Sequence, residues 1–137
     1  MNKRILPIIA LLSIAALSAS ALPPPEKDEL SLAEIKLQLY DLDGKIVEME
    51  YSYAKYIKKE SSGEYSVYCK THTNTSFSGK KIYFSGEEAL DYFEDVAKKR
   101  EDPFNTTLTE SVYVLVEGTK LIAVGERFKK SKGIYTW

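Results

Sequence analysis

Cysteine and histidine are nearly missing from this chain, which carries one of each in 137 residues, Cys69 and His72. A single cysteine rules out an internal disulfide, so the core must stabilise the domain unaided. One histidine leaves little for a catalytic triad, and no serine stands in a nucleophile elbow. Two such ligands are too few for a structural zinc site, which takes four. Glycine-rich phosphate loops are also missing, since "GTKLIAVG" lacks their spacing. Positive charge is not in excess: 19 Lys and Arg stand against 20 Asp and Glu, for a net charge of -1. That balance argues against a generic polyanion binder, so any basic surface must be local. No catalytic residue, metal or cofactor is expected.

The N-terminus is different in kind. Lys3 and Arg4 precede an apolar run from Ile5 to Leu17, followed by Ala19-Ser20-Ala21. This is the pattern of a secretory signal peptide of bacterial style, with cleavage after Ala21. The run is too short to span a bilayer comfortably, since roughly 20 apolar residues are needed. Residues 22–137 would then form the mature chain, exported to the periplasm or secreted, with no membrane span. Loss of Lys3 and Arg4 with no acidic residue moves the net charge from -1 to -3. The sequons at Asn74 and Asn105 read as polar loops.

Residues 22–30, "LPPPEKDEL", form a proline-rich, charged lead-in expected to be flexible. Residues 31–137 suit one domain with one core. Ser31 and Glu34 have capping-box spacing, and Leu32, Ile35 and Leu39 share a helical face, which predicts a short helix over 32–40. "KIVEMEYSYAKYIKK" alternates, with Val47, Met49, Tyr51 and Tyr53 on one face. It predicts a long strand with a bend or bulge near Ala54. "YSVYCKTH" and "KKIYF" predict the second and third strands. Ser85 and Glu88 repeat the capping-box spacing, and Ala89, Leu90, Phe93, Val96 and Ala97 follow at helical intervals. Acidic residues at its start and basic ones at its end suit the helix dipole. "SVYVLVE" and "KLIAVGERFKK", joined by "GT", predict a hairpin.

A helix followed by β-β-β-α-β-β is the layout of the five-stranded oligonucleotide/oligosaccharide-binding (OB) barrel. The chain resembles small exported bacterial OB-fold proteins over about residues 31–130. "GKIVEMEYSY" carries the resemblance as a long first strand, "KIYFSGEEALDYF" as strand into helix, and "VYVLVEGTKLIAVGERF" as the last hairpin. The same order also fits a small α+β domain, a meander packed on the second helix. Members of the OB fold bind oligosaccharides, nucleic acids or proteins, and fold alone does not choose among them.

Cys69 and His72 are offset by three. Strand side chains alternate faces with period two, so the pair falls on opposite faces. Cys69 joins Val67 in the inward phase, leaving Tyr68, Lys70 and His72 outward. "LYDLDGKIVEME" places Asp41, Asp43 and Gly44 at EF-hand loop positions three, five and six, with Glu50 at twelve. Leu39 stands at position one, and a strand follows in place of a helix, so a turn is expected there rather than a calcium site. The scattered acids Glu87, Glu88, Asp91, Glu94 and Asp95 read as the solvated face of the second helix.

Ten tyrosines are the compositional excess. Some belong to the core, and tyrosine is also a strong strand former. Others can sit on an exposed sheet, where flat aromatic faces stack on sugars or bases. In the OB layout that face is the outer side of strands two and three with the four–five loop. The residues expected on it are Tyr68, Lys70, His72, Lys81, Tyr83 and Lys120. The tail places Arg127, Lys129, Lys130 and Lys132 near Phe128, Tyr135 and Trp137, either as a basic-aromatic grip or as a frayed, solvated end. The expected function is a non-enzymatic binding module of OB type. Its ligand would be a cell-envelope oligosaccharide or a protein, with nucleic acid the lesser expectation. The alternative is an inhibitor or structural partner of another exported protein.

Overall fold

The computed structural model describes residues 22–26, 28–72, 77–99, 109–130 and 132–137. The expected signal peptide and both sequon asparagines lie outside the described residues. The fold is mainly β. Its elements are β1 (Leu30–Ser31), α1 (Leu32–Leu37), α2 (Leu39–Leu42), β2 (Ile46–Tyr51), β3 (Tyr53–Lys59), β4 (Tyr65–His72) and β5 (Phe77–Phe84). Then come α3 (Glu87–Lys99), β6 (Glu110–Glu117), β7 (Lys120–Gly125), β8 (Arg127–Lys129) and β9 (Ile134–Thr136). Among the described residues no helix is long and apolar enough to cross a membrane.

Seven strands form one mixed sheet that does not close, in the order β1-β2-β6-β7-β5-β4-β3. β1 runs parallel to β2 and β5 parallel to β7, while the remaining neighbours are antiparallel. Only Ser52 separates β2 from β3, although they stand near opposite ends of this order. A trans-linked residue spans at most 3.8 Å between α-carbons, so the sheet must curl to bring those ends together at Ser52. The Ser52 amide donates to the Lys70 carbonyl at 2.7 Å, which joins the corner to β4.

That transfer corrects one expectation. Met49 and Tyr51 are buried, but the next buried position is Ala54, three residues on, so the inward phase slips by one at Ser52. Tyr53 therefore leaves the core face. The bulge also lies later than expected, between Lys55 and Lys58.

The expected helix over 32–40 is broken at Gln38, whose φ of -123° leaves the helical region. Its capping box forms in both directions: Glu34 N–H donates to Ser31 Oγ at 3.1 Å, and Ser31 N–H donates to Glu34 Oε1 at 2.8 Å. The second helix starts one residue later than its capping-box spacing suggests. It begins at Glu87, and the Leu90 amide bonds to the Gly86 carbonyl at 3.1 Å. Ala89, Phe93 and Val96 face inward, and the five acids expected on the outer face are exposed.

The core is a single cluster between the curled sheet, α1 and α3. Phe93 is its centre, with ring centroids 4.6 Å from Phe84, 4.8 Å from Tyr92 and 5.9 Å from Trp137. Each large side chain buried here contributes about 1.5–3 kcal/mol relative to leaving it in water. The tail is not frayed. β8 pairs with β9, the Tyr135 hydroxyl donates to the Pro23 carbonyl at 2.6 Å, and Trp137 packs on the core. The lead-in is held as well, since the Glu26 amide donates to the Ile46 carbonyl at 2.8 Å.

Candidate functional site

The outer surface of β3, β4 and β5 is a grid of tyrosine and lysine. Val67, Cys69, Ile82 and Phe84 are fully buried, which turns their alternate neighbours outward. Tyr53 pairs with Lys70, Lys55 with Tyr68, Tyr68 with Lys81, and Ser66 with Tyr83. Tyr53, Tyr68 and Tyr83 therefore lie on one diagonal across three strands. Diagonal neighbours in an antiparallel sheet stand about 7–8 Å apart. On the other side of β5, Tyr83 pairs with Ile122 of β7, which brings Lys120 to the edge of the same grid.

The lysines sit against the rings. Lys120 Nζ is 4.4 Å from the Tyr83 centroid and Lys81 Nζ is 5.8 Å from it. Lys70 Nζ lies 5.5 Å from Tyr53 and 5.9 Å from Tyr68, and Lys55 Nζ lies 5.4 Å from Tyr53. Two carboxylates border the face. Glu60 pairs with Lys81 at 3.4 Å, and Glu64 with Lys120 at 3.2 Å. Glu60 also accepts a hydrogen bond from the buried Ser66 hydroxyl at 2.5 Å. That bond, then Lys58 and Lys81, holds its carboxyl below the ordinary carboxylate pKa. The face therefore offers cationic donors, carboxylate acceptors and flat rings together.

Tyr68 is seated by a missing side chain. A β-carbon at Gly79 would fall 2.1 Å from the Tyr68 hydroxyl oxygen and 2.3 Å from Cζ, so the ring lies directly on the Gly79 backbone. The Gly79 carbonyl in turn accepts from Lys36 Nζ at 3.0 Å, which ties α1 to this part of β5. Beside Tyr68 stands Tyr56, with centroids 6.4 Å apart and planes tilted by 39°. A groove of about 320 Å³ is lined by these two rings with Lys58, Ser66 and Lys81.

Of the residues expected at the site, Tyr68, Lys70, Lys81, Tyr83 and Lys120 come together on this face. Lys120 is the first residue of β7 rather than part of the preceding turn. The backbone of His72 pairs with Phe77 at the end of β4, and its side chain lies outside the described residues. Sequence reasoning missed Tyr53, Tyr56, Lys55, Lys58, Gly79 and the two glutamates. The phase slip at Ser52 and the later bulge carry the first four onto the face.

The other candidates come apart. Cys69 is fully buried, and burial pushes its thiol pKa up, away from a reactive thiolate. Asp43 does not face a cation loop. Its Oδ1 accepts from the Gly118 amide at 2.7 Å and fastens the turn between β6 and β7. Glu50 stands on β2 opposite Ser111, away from Asp41 on α2. Among the described residues no group of three or more His, Cys, Asp and Glu is placed to hold a metal ion.

The tail aromatics are taken up in packing. Phe128 and Tyr135 lie 5.1 Å apart and both contact Tyr113. Burial raises the Tyr135 phenol to about 12, with Tyr113 adding to the effect. The groove beside them, about 620 Å³, mixes Glu48 and Glu126 with Arg127 and Lys129. No family model matches the chain, and neither a curated protein nor a solved structure is similar enough to stand as its relative.

Proposed function

We propose that this chain is an exported, non-enzymatic binding module with OB connectivity, whose ligand is an oligosaccharide of the cell envelope. Several features support the OB reading. β2 and β3 are one nearly continuous strand reaching both ends of the sheet order, and α3 lies between β5 and β6. The resemblance seen in the sequence implies a long first strand and a helix between the third and fourth. The single observation that carries the binding role is the diagonal of Tyr53, Tyr68 and Tyr83 set among lysines. Aromatic rings in a row on a rigid sheet suit a chain of sugar rings, which stack by their apolar faces. Export rests on the pattern of residues 3–21.

Retention on insoluble cell-wall material, with single-stranded DNA as the comparison polymer, tests this reading. Retention on cell wall that weakens only partly with salt is the expected result, because stacking remains when the lysine contacts are screened. Retention on DNA that falls steeply with salt would instead indicate phosphate contacts. Retention on neither would favour a protein partner, and one observation favours that second reading. Leu37 and Tyr40 are 87% and 93% exposed around the break between α1 and α2, a place where an exported protein could dock.

A further inference from the structure

The β3 bulge places a tyrosine at a backbone position that suits glycine better. Lys55 pairs with Tyr68 and Lys58 with Ser66, so three steps along β3 match two along β4. One residue is extra. Ile57 keeps its packing against the core, and Tyr56 is the residue displaced. Tyr56 has φ of +59°, the one non-glycine residue with positive φ among the described residues. A bulky side chain is strained in that region, where glycine and asparagine are at ease. The ring is also 77% exposed, so burial does not offset the strain. Strain of this kind persists where surrounding structure imposes it, and it concentrates at ligand clamps. Here the exposed ring opens as a wedge against Tyr68, which Gly79 seats from below.

We infer that Tyr56 and Tyr68 form an open, V-shaped clamp that seats one ring of an anionic glycan against its exposed faces, with Lys58 and Lys81 holding that ring's negative substituent. The inference rests on the proposed binding role of this face and names its ligand class. The lysines at the groove supply the complement to a carboxylate or phosphate. Glu60 already pairs with Lys81 at 3.4 Å and Glu64 with Lys120 at 3.2 Å. Binding therefore exchanges the Lys81 pair for the ligand's anion and leaves the face only locally basic, which suits scattered anionic groups better than a phosphate at every residue. The two carboxylates suit a glycan, whose hydroxyls need acceptors as well as donors.

The test is titration of the full chain with four probes: an oligogalacturonate hexamer, a phosphate-bearing polyol oligomer, a neutral chitin hexamer and a thymidine dodecamer. Tighter binding of either anionic probe than of the neutral hexamer is expected, and the two anionic arms separate carboxylate from phosphate. Tyr56→Gly should weaken that binding about tenfold, the scale of removing one stacked ring. It should leave thermal unfolding unchanged or raise it, because the strain is released. Tyr56→Phe should bind within about twofold of the parent. Lys58→Gln should weaken the anionic probe and spare the neutral one. Unchanged affinity in Tyr56→Gly, while Tyr68→Ala weakens binding, would remove the clamp and leave the face. Lower stability in Tyr56→Gly would make the residue structural and overturn the clamp. Tightest binding to the thymidine dodecamer would overturn the glycan assignment. Binding to none of the four would overturn both the clamp and the face.

Discussion

Tyr113 packs on Phe128 and Tyr135 of the β8–β9 hairpin, whereas Tyr68 and Tyr83 pack on lysine ammonium groups and a glycine backbone. The two surfaces use the same residue type, although Tyr135 stands on the separate two-stranded sheet and Tyr68, Tyr83 and Tyr113 on the seven-stranded one. At the hairpin, the Tyr135 hydroxyl is bonded to the Pro23 carbonyl, and the aromatic edges meet other aromatics. On the open face, the rings of Tyr68 and Tyr83 lie instead beneath the ammonium groups of Lys70, Lys81 and Lys120. A lysine side chain moves aside at little cost. The comparison teaches that tyrosine content alone does not mark a site. A ring packed among other aromatics with its hydroxyl bonded to backbone serves the fold, while a ring seated on the sheet and overlaid by lysine is available to a ligand.

The largest expected effects lie on the structural side of that comparison. Phe93→Ala should destabilise the protein by about 3–5 kcal/mol in denaturant unfolding, because it empties the centre of the aromatic core. Gly125→Val sharpens the contrast. A β-carbon there would fall 2.7 Å from both the Thr136 amide nitrogen and the Tyr135 β-carbon, so the hairpin must shift. It should cost roughly 1–3 kcal/mol, read by the same unfolding curves, without touching ligand affinity. Cys69→Ser should also cost about 1–3 kcal/mol, since it buries a hydroxyl in an apolar site, and should keep full binding.

Alkaline pH should weaken the fold through its buried thiol and phenols. Burial raises the folded pKa values of Cys69, Tyr51 and Tyr92. Their neutral forms are therefore favoured in the folded state, and the stability they contribute is fully present below the ordinary values of 9.0 and 10.0. It should be lost as pH climbs above those values, because the unfolded chain ionises first. Unfolding midpoints measured from pH 8 to 11 should fall above about pH 9, and Cys69→Ser should delay the onset.

Much of the scaffold was legible in the residues. Ser31 and Glu34 announced their capping box, and the 3.6-residue spacing of Ala89, Phe93 and Val96 announced α3. The period-two pattern around Cys69 placed its thiol inward. The inward phase of β4 and β5 was therefore correct, and it brought Tyr68, Lys70, Lys81 and Tyr83 onto one face. What escaped was set by tertiary geometry. The alternation of "EMEYSY" runs through Ser52 without a mark, yet the strand passes there from one end of the sheet order to the other and changes phase. Nothing in "AKYIKK" says which residue the bulge will displace, because pairing with β4 decides it. The tail strands have three residues each, too short for a period to show. Their docking depends on Gly125 admitting the hairpin backbone, a close approach visible only in three dimensions.

The most direct test of the division between structural and binding tyrosines is the double variant Tyr68→Ala with Tyr83→Ala, measured for stability and for retention on cell-wall material. Each cross-strand side-chain pair removed is worth about 0.2–1 kcal/mol to the fold, so the variant should remain folded. Removal of the stacking rings should weaken binding by roughly 1–3 kcal/mol per ring, enough to abolish retention. A folded double variant retained as strongly as the parent would contradict the account.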